Sequence, residues 1–249
     1  MRKIFLIVTG CFALAAVVWA SNEPWKEKPY QQWDSKDLQK IFQDSPWSHI
    51  VQVEAPWAGG GVDDSSLPSG SGGAGGAGRS MGANASGGGG NAGSDMGGGG
   101  GMASFLVRWI SSRTFREAMI RDRILRSQMT EAEAQSELAK PVEGYEVVVT
   151  GPDMTPFQHA DESALKSAAT LTLKRSKSKL TPTDVRIQKT QDGSKVAGIM
   201  YVFPAKLANG ETTIGTDEKN VEFSCSAGKF TLKWSFDLSK MADSQGRDL

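Results

Sequence analysis

Apolar and polar residues alternate most cleanly toward the C-terminal end. Val221, Phe223 and Cys225 interleave with Glu222, Ser224 and Ser226, and Phe230, Leu232, Trp234 and Phe236 interleave with Thr231, Lys233 and Ser235. A period of two marks strands with one face on a core, and Ala227-Gly228 between the runs predicts a hairpin over 221–225 and 230–236. Upstream, 185–190, a turn at Asp192-Gly193 and 195–203 read as another strand pair, followed by a turn at Asn209-Gly210. The run 195–203 is apolar at odd and even positions alike, which predicts an interior strand. Residues 145–150 are β-branched and 170–173 alternate, so both read as strands.

Helical spacing takes over in other stretches. Leu38, Ile41 and Phe42 fall on one side of a helix over 35–44, which Pro46 ends, and 49–54 then reads as a short strand. After a second strand at 104–110, Thr114-Phe115-Arg116-Glu117 has the form of a capping box, and Phe115, Ala118, Leu125 and Met129 share one helical face. Thr130-Glu131-Ala132-Glu133 is another capping box, so the helix breaks and restarts toward Leu138, with Pro141 as its stop. A shorter helix is expected over 161–168. Together these elements predict the α+β class: a single domain with a mostly antiparallel sheet and helices on one face.

Between the strands at 49–54 and 104–110 lies a different kind of sequence. Residues 58–102 hold 20 of the 29 glycines and offer almost nothing to bury, so their ordering entropy goes uncompensated and a disordered insertion is expected. The segment 21–57 before it is too short to fold alone, yet carries Trp25, Tyr30, Trp33, Trp47 and Trp57. Such a segment must dock. The economical arrangement puts both flanking strands in one sheet, with 21–57 packed on a main domain at 103–249 and the glycine tract as an overgrown loop.

The first 20 residues set the compartment. Arg2 and Lys3 precede an apolar run over 4–19, and Val18-Trp19-Ala20 suits a signal peptidase, so residues 1–20 read as a signal peptide cleaved after Ala20. The run is short for a membrane anchor and broken by Thr9, Gly10 and Cys11. Val8-Thr9-Gly10-Cys11 resembles a lipobox, but the apolar run continues past Cys11 where a lipoprotein turns polar. A periplasmic or secreted protein without a transmembrane segment after cleavage is expected. Cleavage takes the charge balance from 28 basic and 28 acidic residues to 26 and 28, near neutral, which argues against nucleic acid as a partner. It also leaves Cys225 as the sole cysteine, so no internal disulfide is possible. With His49 and His159 the only histidines, little is left to build a metal site, and neither metal nor cofactor is expected.

Candidate chemistry is sparse. Cys225 alternates with core residues and reads as a buried thiol. Six arginines fall in 108–126, of which Arg116, Arg123 and Arg126 cluster on one helical face and could meet an anionic partner. A solvated, salt-bridged face explains them with no ligand and is the preferred reading, with Glu117–Arg121 and Asp122–Arg126 at the favourable spacing for ion pairs. Trp33 and Trp47 could stack on sugar rings, or could supply the apolar area that docks 21–57. Ser45, Ser48 and His49 are near neighbours, but no Gly-x-Ser-x-Gly elbow accompanies them, and no catalytic residue is assigned.

The pattern Lys28-Pro29-Tyr30, Trp33, Leu38, Asp44-Ser45-Pro46-Trp47 and Val107-Arg108-Trp109, with the close from Lys219 through Phe236-Asp237-Leu238 to Met241, resembles a group of exported proteins of Acidobacteria whose activity is unknown. The resemblance spans most of the mature chain outside the glycines and implies export, with no substrate, cofactor or site residue to carry over. The function expected is therefore a non-enzymatic binding or envelope-associated structural module, its partner an envelope protein or a glycan. The alternative is a polysaccharide-directed hydrolase, or a glycan-binding module using exposed tryptophans.

Overall fold

A computed structural model describes residues 23–55, 57 and 101–249. Residues 1–22, 56 and 58–100, with the cleavage and disorder expected there, lie outside the described residues. The chain opens with a short helix α1 (Pro24–Glu27), a 3-10 turn (Tyr30–Gln32) and helix α2 (Ser35–Gln43). Strands β1 (Ser48–Ala55) and β2 (Gly101–Trp109) follow, then helices α3 (Arg113–Leu125) and α4 (Glu131–Leu138) and strand β3 (Gly144–Thr150). A 3-10 turn (Thr155–Phe157) leads to helix α5 (Glu162–Ser167), β4 (Thr170–Leu173), β5 (Lys179–Leu180), β6 (Asp184–Lys189) and β7 (Val196–Pro204). The hairpin β8 (Asn220–Ala227) and β9 (Phe230–Asp237) precedes a small terminal ribbon, β10 (Ala242–Asp243) and β11 (Gly246–Arg247). The chain is an α+β single domain, and every strand pairing in it is antiparallel.

The strands divide between two main sheets, one ordered β1-β2-β3-β7-β6 and the other β5-β4-β8-β9. Their apolar faces meet through aromatic rings: Phe105 lies 5.0 Å from Phe230, Trp109 5.2 Å from Phe236, and Tyr201 5.3 Å from Phe223. Edge-on and tilted ring pairs of this kind gain quadrupole attraction on top of the area they bury. β1 and β2 pair over their full length, from Ser48↔Arg108 to Ala55↔Gly101, so the two strands that flank the glycine tract are neighbours in one sheet. β7 lies between β3 and β6, the interior place its doubly apolar pattern predicts. At the β8–β9 turn Gly228 adopts φ +61°, a conformation that penalises any side chain.

The N-terminal segment is built into this core. Trp25 packs edge-on against Trp47 at 5.4 Å, and the Trp33 indole donates to the carbonyls of Pro24 and Lys28. Trp47 donates from Nε1 to the Asp248 carbonyl at 2.8 Å, while its own carbonyl accepts from the Trp109 amide. The beginning, middle and end of the chain are thus tied at one point. Asp34 and Asp37 form a reciprocal capping box that starts α2. Helices α2 and α3 pack on each other, and α5 contacts β6 and β8. No helix among the described residues is long and apolar enough to cross a membrane.

Two local expectations are corrected. Helix α3 starts one residue before Thr114 and has no capping box. Ser112 is its N-cap, accepting from the Phe115 amide, and the Asp248 carboxylate takes the amides of Arg113 and Thr114. A side chain 135 residues away does the work assigned to a local motif, because a carboxylate at a helix N-terminus is favoured by both hydrogen bonds and the helix dipole. The helix also ends at Leu125, before Met129, since Ser127 turns to φ 57° and Gln128 donates back to the Arg123 carbonyl. The second box holds as read: Thr130 and Glu133 cap α4 reciprocally.

Candidate functional site

The two sheets present different outer faces. On β8 and β9 the residues that alternate with the core are Glu222, Ser224, Ser226, Thr231, Lys233 and Ser235, all polar. On the five-stranded sheet the corresponding residues include Ile50, Leu106, Val148, Met200 and Val202, interrupted by Arg108, Glu146 and Arg186. An apolar outer face needs a cover. At one end it has one, since α2 ends there: the Phe42 carbonyl accepts from Arg108 Nε at 3.2 Å and from Ser48 Oγ at 2.5 Å.

Beside this cover lies a cleft of about 740 Å³, bounded by α3, the C-terminal end of α4 and the segment 140–143, with Glu146 of β3 and Arg186 of β6 among its lining residues. The size falls in the range of pockets that enclose small molecules. Arg116, Met119, Ile120 and Arg123 line it from α3 at spacings of three and four residues, which places them on one side of the helix. Met119 and Val142, 37% and 40% exposed, are apolar residues in contact with solvent on its walls. Ser111, only 4% exposed, also lines the cleft, and its Oγ has no hydrogen-bond partner among the described residues.

Glu146 is the unusual group. It is half-buried, and its carboxylate makes no hydrogen bond or close ion pair among the described residues. Burial pushes its carboxyl above the usual range, Arg186 and Arg116 pull it back down, and Glu143 adds to the rise. Most other charges around it are engaged. Lys140 pairs with Glu137 at 2.5 Å, Arg186 with Asp184 at 2.8 Å, and Asp122 with Arg126 at 2.8 Å.

The three arginines singled out by spacing separate in the structure. Arg116 and Arg123 both line the cleft. Arg116 donates to the carbonyls of Glu137, Leu138 and Lys140, so it caps the end of α4. The Arg123 side chain has no hydrogen bond or close ion pair among the described residues and acts on Glu137 only at longer range. Arg126 is the C-cap of α3 and forms the expected pair with Asp122. The pair expected between Glu117 and Arg121 is absent: Arg121 donates to the Trp33 carbonyl at 3.0 Å and reaches toward Glu131.

Trp33 and Trp47 are 2% and 0% exposed, so neither indole presents a face to a sugar, and both serve packing. The histidine and serines near Pro46 are not assembled for catalysis. His49 stacks on Trp234 at 3.6 Å and burial lowers its pKa, while Ser45 donates to the Ile41 carbonyl and Ser48 to that of Phe42. Cys225 is fully buried, and burial pushes its thiol up to about 12. Among the described residues no group of three or more histidine, cysteine or acidic side chains is placed to hold a metal. Sequence reasoning missed Glu146 and Ser111. The one signal for Glu146 was a charge at a non-core position of a strand apolar on both faces.

Compared with known proteins, the chain matches no family model, no curated protein and no solved structure.

Proposed function

We propose that this protein is an exported, non-enzymatic binding module that receives a small ligand in the cleft between α3, α4 and the five-stranded sheet. The observation that carries the reading is Glu146: a half-buried carboxylate left without a direct partner in a cleft of ligand size. Burying a charge without a partner costs stability, and a ligand that supplies the partner recovers it. The leader and the resemblance to exported proteins of Acidobacteria support a periplasmic or secreted setting. A polysaccharide-directed hydrolase is the second reading. It draws on Glu143 and Glu146 lining one cleft, since glycoside hydrolysis needs two carboxyl groups, one with a raised pKa.

Nuclear magnetic resonance mapping of a fragment library on the mature protein tests the proposal. Shifts concentrated on the amides of Ile110, Ser111 and Glu146, with fragments recovered unchanged, are expected. Shifts scattered over β8 and β9, or none in the cleft, overturn it. Cleavage of an oligosaccharide that is lost in Glu146→Gln transfers the site to the hydrolase reading.

A further inference from the structure

We infer that the cleft takes a compact zwitterion with an apolar body, an α-amino acid or dipeptide, its ammonium at Glu146 and its carboxylate at Arg123. This rests on the binding reading above and specifies its ligand.

The inference comes from which charges are left over. Arg116 is committed to three carbonyls, and Lys140, Arg186 and Asp122 each hold an ion-pair partner. What remains without a hydrogen bond or close ion pair is the exposed side chain of Arg123 on the helical wall, which acts on Glu137 only at longer range, with Glu146 and Glu143 lining the same cleft from β3 and the segment before it. A simple amine meets Glu146 and Glu143 but leaves Arg123 without a counter-charge. A simple carboxylate does the reverse. A ligand bearing both signs meets both walls, and charge-assisted hydrogen bonds are the strong ones in such a site. The lining also carries apolar residues that can meet an apolar body: Ile110, whose amide donates to the Glu146 carbonyl, Ile120, and Val142. The buried Ser111 hydroxyl, without a partner among the described residues, is a second polar group in the same wall and can donate to a peptide carbonyl. The cleft volume of about 740 Å³ has room for a dipeptide.

Isothermal titration of the full mature chain with L-leucyl-L-leucine is the test, alongside its N-acetyl and C-terminal amide derivatives. The free dipeptide is expected to bind, and each blocked form to bind roughly tenfold or more weakly. Glu146→Gln is expected to weaken the dipeptide and abolish discrimination against N-acetylation, leaving discrimination against amidation intact. Arg123→Gln is expected to do the converse. Circular dichroism of both variants separates lost binding from lost folding, and a variant that fails to fold leaves the blocked dipeptides as the deciding comparison. No binding of the dipeptide up to about 10 mM, or equal binding of all three forms, overturns the inference. If fragments still map to the cleft in that event, the binding reading survives and only the ligand class falls. If nothing perturbs the cleft, the binding reading falls with it.

Discussion

The outer faces of the two sheets were built to opposite specifications. The β8–β9 face is serine, threonine and single charges, with Lys174 and Glu222 paired at 2.5 Å across its rim. It turns to water and asks for nothing more, as the open side of an antiparallel sheet commonly does. The five-stranded sheet is apolar on both sides in β3 and β7, and the charges it does carry on its outer side are awkward: Arg108 and Glu146 are half-buried and neither has a direct ion-pair partner among the described residues. Burial alone lowers the pKa of Arg108. The difference teaches where to look for function. The half-buried, uncompensated charge beside the cleft is what the proposed ligand would meet, and the β8–β9 face offers no comparable group among the described residues.

The comparison breaks most directly if equal insults to the two faces cost the same. Val148→Lys introduces a second cation beside Arg108 on the apolar face and is expected to cost about 3 kcal/mol by urea denaturation. Ser224→Lys on the polar face is expected to stay within about 0.5 kcal/mol. Similar losses from both changes contradict the asymmetry.

Helix α3, which walls the cleft, is held at its N-terminus by Asp248. Asp248→Ala removes the carboxylate that holds the first two amides of α3 and is expected to cost about 2 kcal/mol, read as a lower Tm. Asp248→Asn should recover part of this, since the amide oxygen still accepts.

A pH dependence follows from Glu117, on α3. Burial raises its carboxyl from 4.5 to about 7, with Arg113 opposing and Asp243 and Asp248 reinforcing the rise. Between pH 4.5 and 7 the folded chain therefore binds more protons than the unfolded one, so the Glu117 contribution is full below pH 4.5 and is lost as pH rises through about 7. Discounted for its partial exposure, this amounts to about 1–2 kcal/mol, and Glu117→Gln should flatten that part of the stability–pH curve. The smallest effect is expected at Arg108. Arg108→Met removes a half-buried cation and leaves the Phe42 carbonyl still bonded to Ser48, so a gain of about 1 kcal/mol is expected.

Strands were legible because their periods are local. The hairpin at 220–237 and the pairing of β1 with β2 across the glycine tract both appear where alternation and turn residues placed them. Caps were legible only when their partners were near. Thr130 and Glu133 are three residues apart and form the box their spacing implies, whereas Asp248 reaches the α3 terminus from the far end of the chain. Of the arginine stripe on α3, Arg116 and Arg123 line the cleft. The stripe gave no hint that Arg116 is consumed by α4 carbonyls while Arg123 is not. Glu146 stayed hidden because its meaning depends on β6, α3 and α4 meeting around it, and no spacing along the chain encodes that.

Of the two cysteines, Cys11 falls in the expected signal peptide and Cys225 is fully buried, which permits a site-specific reporter at the cleft in the chain without residues 1–20. The mature protein carrying Met119→Cys labelled with an environment-sensitive fluorophore, compared with the same label at Lys233→Cys on the polar face, tests the asymmetry as function. A saturable change on adding L-leucyl-L-leucine or a cleft-binding fragment at position 119, with none at position 233, is the predicted result. Equal responses at both positions, or a response at 233 alone, would contradict the claim that the five-stranded face is the one that binds.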